Sequence, residues 1–300
     1  MNASFLSVCL CVAAALLPSA QGAWQYHLPS TGLLPSAAAA EFVATAGERH
    51  NGGDSLGFQN YTFTVPFADP RRSNWNDWYI NACLDTEITH LSTSGALVAD
   101  GATMYSFTLP MSVIHPMSRG QRLILALAPH VATDFNGPAH AFGMGGFVDY
   151  RLFATDTFSA SVGTVCMPNE TYYWFVPFAT FEWKPTPDWE LSLKGFRFQA
   201  MRQLGHGLAA GAFARGIGGA WATHEAEGTR LLRVRSLAMG GRAEWDFSQP
   251  EQTKRILFAD VGVTVFTMAQ KLRYADLRDS ESMHHYHPAL YISAGADFRF

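Results

Sequence analysis

The last eleven residues, Leu290-Tyr-Ile-Ser-Ala-Gly-Ala-Asp-Phe-Arg-Phe300, alternate without a break. Leu290, Ile292, Ala294, Ala296, Phe298 and Phe300 share one parity, and Tyr291, Ser293, Gly295, Asp297 and Arg299 share the other. Period two is the period of a strand, so this segment presents one apolar and one wet face. Chain ends fray unless something ties them down. Alternation held to a final aromatic therefore places the C-terminus inside a sheet.

The same plan recurs upstream. Tyr61, Phe63, Val65 and Phe67 oppose Asn60, Thr62 and Thr64. Trp78, Ile80, Ala82, Leu84 and Ile88 oppose Asn81, Asp85, Glu87 and Thr89. Segments at 105–113, 123–131 and 239–247 alternate similarly, and further strands are expected at 141–152, 156–167, 171–183, 188–199, 206–216 and 255–268. That makes about twelve strands. Segment 206–216, rich in Gly and Ala, leaves ten or fourteen open.

A soluble sandwich would turn polar residues outward, whereas here the outward face is apolar in strand after strand. Only 15% of residues are charged, against about a quarter in ordinary globular domains. Beyond the start of the chain no apolar run is long enough for a spanning helix. The 22 Phe, 10 Tyr and 8 Trp can supply an apolar band with aromatic girdles. The expected fold is an all-β, transmembrane, antiparallel up-and-down barrel with short loops; a soluble barrel of the lipocalin kind is the alternative. A net charge of -4 gives no reason to expect a nucleic-acid partner.

Residues 1–22 read as a signal peptide, with an apolar run from Phe5 to Leu17 and the small-x-small pattern Ala20-Gln-Gly22, although no Lys or Arg precedes the run. Residues 23–54, with Pro29, Pro35 and Asn51-Gly-Gly53, read as an irregular periplasmic segment with one helical turn around 37–42. The barrel is expected over 55–300. With both ends periplasmic, the outside connections would be 69–77, 115–120, 154–156, 184–188, 218–229 and 270–287.

Parity turns eleven charges inward: Asp85, Glu87, Arg122, Glu190, Lys194, Arg242, Glu244, Asp246, Asp260, Asp297 and Arg299. Ionisable groups inside a membrane protein either pair with one another or line an aqueous path. Both readings stand here, a channel wall or a salt-bridged plug. Cys83 points inward and Cys166 outward, which makes a bridge between them geometrically poor.

His284-His285-Tyr-His287 is the one cluster of metal-ligand types, and in an extended chain His285 and His287 share a face. Two imidazoles fall short of a zinc site, so a solvated loop is the plainer reading and no cofactor is expected. Trp183 and Trp189 bracket a proline turn and read as interfacial anchors, as do Trp75 and Trp78 beside Arg71 and Arg72. His140, His206 and His224 accompany no His-x-Ser-Asn-Gly signature and no Gly-x-Ser-x-Gly elbow, so an enzyme is not expected.

The run Trp174-Phe-Val-Pro-Phe178, Phe181-Glu-Trp-Lys-Pro185 and Asp188-Trp-Glu-Leu191, with the closing strand to Phe300, resembles a porin-like family of bacterial outer-membrane barrels with a C-terminal phenylalanine. The resemblance implies an outer-membrane location, lipid as a partner, and Phe298 and Phe300 as the signal read by the barrel assembly machinery. It carries over no catalytic or ligand residue. The expected function is passive diffusion of small hydrophilic solutes through a monomeric, porin-like channel. A structural or adhesive barrel with a plugged lumen is the alternative.

Overall fold

The computed structural model describes residues 37–49, 55–68, 74–75, 78–94, 101–117, 120–137, 141–169, 172–225, 228–248, 254–273 and 276–299. The expected signal peptide, Arg71, Arg72, Phe300 and the side chains of Trp75 and Arg299 lie outside these residues.

Every element bounded within the described residues is a strand. In chain order they are β1 (Ala37–Thr45), β2 (Glu48–Arg49), β3 (Ser55–Ala68), β4 (Asn74–Trp75), β5 (Trp78–Ser94), β6 (Thr103–Thr108), β7 (Met111–Pro116), β8 (Arg122–Thr133) and β9 (Ala141–Ala154). Then come β10 (Phe158–Asn169), β11 (Tyr172–Thr186), β12 (Trp189–Lys194), β13 (Arg197–Gly205), β14 (Leu208–Glu225), β15 (Gly228–Asp246), β16 (Lys254–Arg273), β17 (Asp276–Tyr286) and β18 (Leu290–Arg299). Sixteen of them have six residues or more. Sequential neighbours pair antiparallel, and the pairing of β1 with β18, from Ala37↔Arg299 to Thr45↔Tyr291, closes the ring. The protein is a closed antiparallel barrel.

Two positions in the ring are interrupted at prolines. β6 and β7 both lie between β5 and β8 and are separated by Leu109-Pro110; β17 and β18 both pair with β16 and are separated around Pro288. A proline has no N–H to give the ladder. β2 and β4 extend β1 and β3, so the eighteen segments occupy fourteen positions.

The strand count exceeds twelve for two reasons. The first is β1, which falls in the segment read as irregular and partly helical. Its sequence AAAAEFVAT has little intrinsic preference for a strand. Two ladders, to β18 and to β3, override that preference. The second is the stretch read as one strand at 188–199, which is the hairpin β12–β13. Gly195, at φ +61°, makes the two-residue turn between Lys194 and Arg197.

These two omissions also change which end each turn occupies. With β1 in place, the strand ends that flank 69–77, 115–120, 154–156 and 184–188 lie at the same end as Ala37 and Arg299, not at the far end. The second omission reverses the alternation again, so Glu225 and Gly228, and Arg273 and Asp276, lie at the far end. Neither pair is joined by the long loop expected at 218–229 or 270–287, because β14 to β17 occupy those residues. The histidine run is accordingly not a loop: His284 and His285 are in β17, and His287 follows it directly.

The outer face is apolar. Phe63, Val65, Val162, Val261 and Ile292 are all exposed, each beside an inward polar neighbour. Trp183, Trp189 and Trp245 are exposed toward the end that carries the termini, where an aromatic girdle would sit.

The wall is irregular on one side. β13 leaves β14 after Arg197↔Arg215, and beyond it β14 continues to a parallel bridge between Ala222 and Thr133 of β8, across the ring. The departure needs Gly218, whose φ is +128° and whose Cβ, if added, would lie 2.1 Å from the Val234 carbonyl oxygen. Gly218→Ala is expected to cost about 1–3 kcal/mol, read as a shifted denaturant midpoint for the barrel refolded in lipid vesicles.

Candidate functional site

Inside the ring, polar and apolar zones are stacked along the axis. At the far end, Leu56, Phe58, Leu91, Met104, Trp221, Leu232 and Tyr286 belong to one buried apolar cluster. Toward the termini the inner face turns polar and encloses a cavity of about 400 Å³. Its acids are Glu41, Glu87, Glu190, Glu244 and Asp297, and its bases are Lys194, Arg197, Arg215, Arg242 and Lys254. The signs balance. Exposed Gln203 and Lys254 carry the lining out toward the terminal end.

Most of the predicted inward charges fall into three groups. In the first, Arg242 donates to both carboxylate oxygens of Asp260 at 2.8 and 3.0 Å and to Glu244 at 2.5 Å. Ser293 donates to Asp260 and to Glu41, both at 3.1 Å, and Arg215 clamps Glu41 with two nitrogens. Register explains this meeting: Arg242 pairs with Asp260, which pairs with Ser293, in one row across β15, β16 and β18. The Arg242 guanidinium lies 4.0 Å from the Phe258 ring centre, a cation–π contact that fixes the fork.

In the second group, Thr64 donates to Asp85 at 2.6 Å, while Asn60 and Thr89 donate to Glu87. Both carboxylates are buried. In the third, Arg122, 1% exposed, faces Asp149 at 3.8 Å. Lys194 pairs with Glu182 at 2.6 Å, and Glu190 and Asp297 lie on the cavity wall. Asp246 stands apart at the terminal end, accepting from the Ser248 N–H and facing Lys254 at 3.9 Å.

Sequence reasoning missed Glu41, Arg197, Arg215 and Asp149. Glu41 was hidden because alanines on both parities of β1 mask its alternation. Arg215 ends the pairing with β13 in the weakly patterned segment. A polar residue opposite apolar ones, Asp149 between Val148 and Tyr150, was the signal available for the third group.

Cys83 lines the cavity, and both it and Cys166 are free thiols. His285 lies against Phe266, at 6.0 Å between ring centres, and His284 stacks on Tyr286. Among the described residues no three His, Cys, Asp or Glu side chains gather as a metal site.

Two titratable pairs sit toward the far mouth, Lys271 with Glu225 at 2.6 Å and Asp134 with His224. Asp134, just past β8, accepts from the His224 backbone N–H at 2.8 Å and faces His224 Nδ1 at 2.5 Å. Burial pushes the Asp134 carboxyl up, but the backbone and side-chain hydrogen bonds from His224 outweigh it and hold it below the usual carboxylate range.

Neither a family model nor a curated protein matches the sequence. Among solved structures the chain is similar to the toluene transporter TodX of P. putida, at 9% identity and a TM-score of 0.40, over 96% of this chain and 94% of that one. It is also similar to the translocator domain of autotransporter NalP from Neisseria meningitidis, at 13% identity and a TM-score of 0.32, over 99% and 98% of the two chains. A mutant Rh. blastica porin follows at 8% identity and a TM-score of 0.24, over 88% and 99%. At such low similarity the inner surface has to be read from the chain's own residues.

Proposed function

We propose that the protein is a monomeric channel of the bacterial outer membrane that passes small hydrophilic solutes and catalyses no reaction. The observation that carries this reading is the 400 Å³ cavity, lined by charges of both signs inside a ring whose outer face is apolar. An ionisable lining within a membrane barrel is costly unless it is paired or wetted, and this one is both paired and open toward one end. Because acids and bases balance on the wall, neither cations nor anions are favoured strongly.

Planar-bilayer recording tests the reading. Stepwise currents are expected, with a reversal potential near zero across a salt gradient. A second reading, a structural barrel with a plugged lumen, draws on the apolar cluster that seals the far end. Folded protein that stays silent under every condition would support that reading and sink the channel.

A further inference from the structure

The sheet β14–β17 changes character halfway up. In its lower half β15 has an exposed face, with Ala243 and Trp245 outside and Arg242 and Glu244 inside. In its upper half every residue from Leu231 to Ser236, and on to Ala238, is buried. A strand buried on both faces is not lipid-facing wall, whereas Phe266 of β16 and Met283 of β17 stay exposed at the same level. Trp221, Leu232, Val234, Leu272 and Tyr286 of this upper half join Leu56, Phe58, Leu91 and Met104 of the facing strands in one buried cluster, and β14 reaches β8 across the ring.

Three irregularities lie at the level of that change: in β14, in the β15–β16 ladder and at the break between β17 and β18, while the β14–β15 ladder itself runs through without a shift. β14 carries Gly216, Gly218 and Gly219, with Gly218 at positive φ. The β15–β16 ladder shifts register between Leu237 and Ala238, leaving Val265 as the extra residue. The final position of the ring is broken at His287–Ala289, where Thr264 takes over by bonding Ala289. Leu237 pairs with both Gly216 and Phe266, and Thr267 pairs with Tyr286, so the defects are adjacent in space. A bulge bends its strand and an interior glycine weakens it, and here these features lie side by side on neighbouring strands.

Above that line the four strands hold together as a unit. Ser236 and Thr267 hydroxyls bond at 2.6 Å, and Lys271 pairs with Glu225 at 2.6 Å. The unit's far edge meets β8 at the Ala222–Thr133 bridge, the Asp134 N–H to the Ala222 carbonyl at 3.1 Å, and the Asp134–His224 contacts.

We propose that the upper halves of β14 to β17 form a hinged flap that gates the barrel, latched shut on β8 by Asp134 and His224. The proposal rests on the channel reading above for its consequence, though not for the motion itself. When the latch releases, the flap turns about the defect line. The apolar seal then parts and the polar cavity is joined to the far side.

The test uses full-length mature protein in which Cys83 and Cys166 are serine. Thr133→Cys with Ala222→Cys locks the flap through a disulfide between bridge partners, and reduction frees it. Asp134→Ala and His224→Ala each remove the latch. Two readouts are taken on each protein: open fraction in planar bilayers, and the labelling rate of a thiol placed beneath the flap by Leu91→Cys, with Met104→Cys as a second reporter should the first fold poorly. The latch variants are expected to raise both readouts on the order of ten-fold, the scale of a lost charge-assisted hydrogen bond. The disulfide should suppress both until it is reduced. Labelling and currents that ignore both the disulfide and the latch variants overturn the flap. Labelling that responds while every variant stays silent supports the flap and overturns the channel.

Discussion

Asp260→Ala should unfold or badly weaken the barrel. Asp260 is 1% exposed and is the acceptor on which Arg242 and Ser293 converge, with Arg215 a further 3.9 Å away. Removing it takes away the acid that Arg242 bonds and Arg215 faces, leaving two buried guanidinium groups with Glu244 bonded to one and Glu41 to the other. Breaking a buried pair from one side typically costs about 3–5 kcal/mol, because the surviving charge stays desolvated without its partner. The measurement is denaturant unfolding of the barrel in vesicles, alongside the heat-dependent gel shift that folded barrels show. Asp260→Asn keeps the volume and one acceptor oxygen and should lose less. A loss below about 1 kcal/mol for the alanine variant, the scale of an ordinary surface pair, would mean that water reaches this network and does the work assigned to Asp260.

The second large effect is on the neighbouring residue, pointing the opposite way. Val261 is 60% exposed, in the middle of the apolar outer band. If that band lies in lipid, Val261→Arg should cost about 2–4 kcal/mol, the penalty of a cation at the bilayer midplane on the face of a barrel. If the outer face meets water, the same change falls within about ±0.5 kcal/mol, as surface substitutions do. Unfolding in vesicles separates the two outcomes cleanly. A near-zero effect would return the chain to the soluble-barrel alternative, whatever its pairing pattern.

Much of the wall was legible in the chain because alternation is a local property. The parity that set Tyr291, Ser293 and Asp297 against Leu290 and Ile292 holds in β18, where the first three face inward and the last two are exposed. It holds equally for Asp85 and Glu87 on β5 and for Arg242 and Asp260 on β15 and β16. Where the wall failed to show itself, local signal was weak or misleading. The alanines of β1 favour helix over strand, and the Lys194-Gly-Phe-Arg197 hairpin hides within continuous alternation.

What the sequence could not show is everything that depends on which strands meet. Glu41 joins Arg215 although 174 positions separate them, because β1 closes the ring against β18 and the lumen is narrow enough to span. The flap is of the same kind. Gly216, Val265 and Pro288 are three unremarkable punctuation marks in the chain, and only register sets them side by side.

The alternation of single residues thus determined the strands, their faces and the apolar exterior, since each side chain's direction follows from its neighbours along the chain. Tertiary structure alone decided the number of ring positions, the end each turn occupies, the pairing of the inner charges and the closure of the far mouth. Those depend on contacts between segments far apart in sequence, and the period of a strand carries no record of its partner.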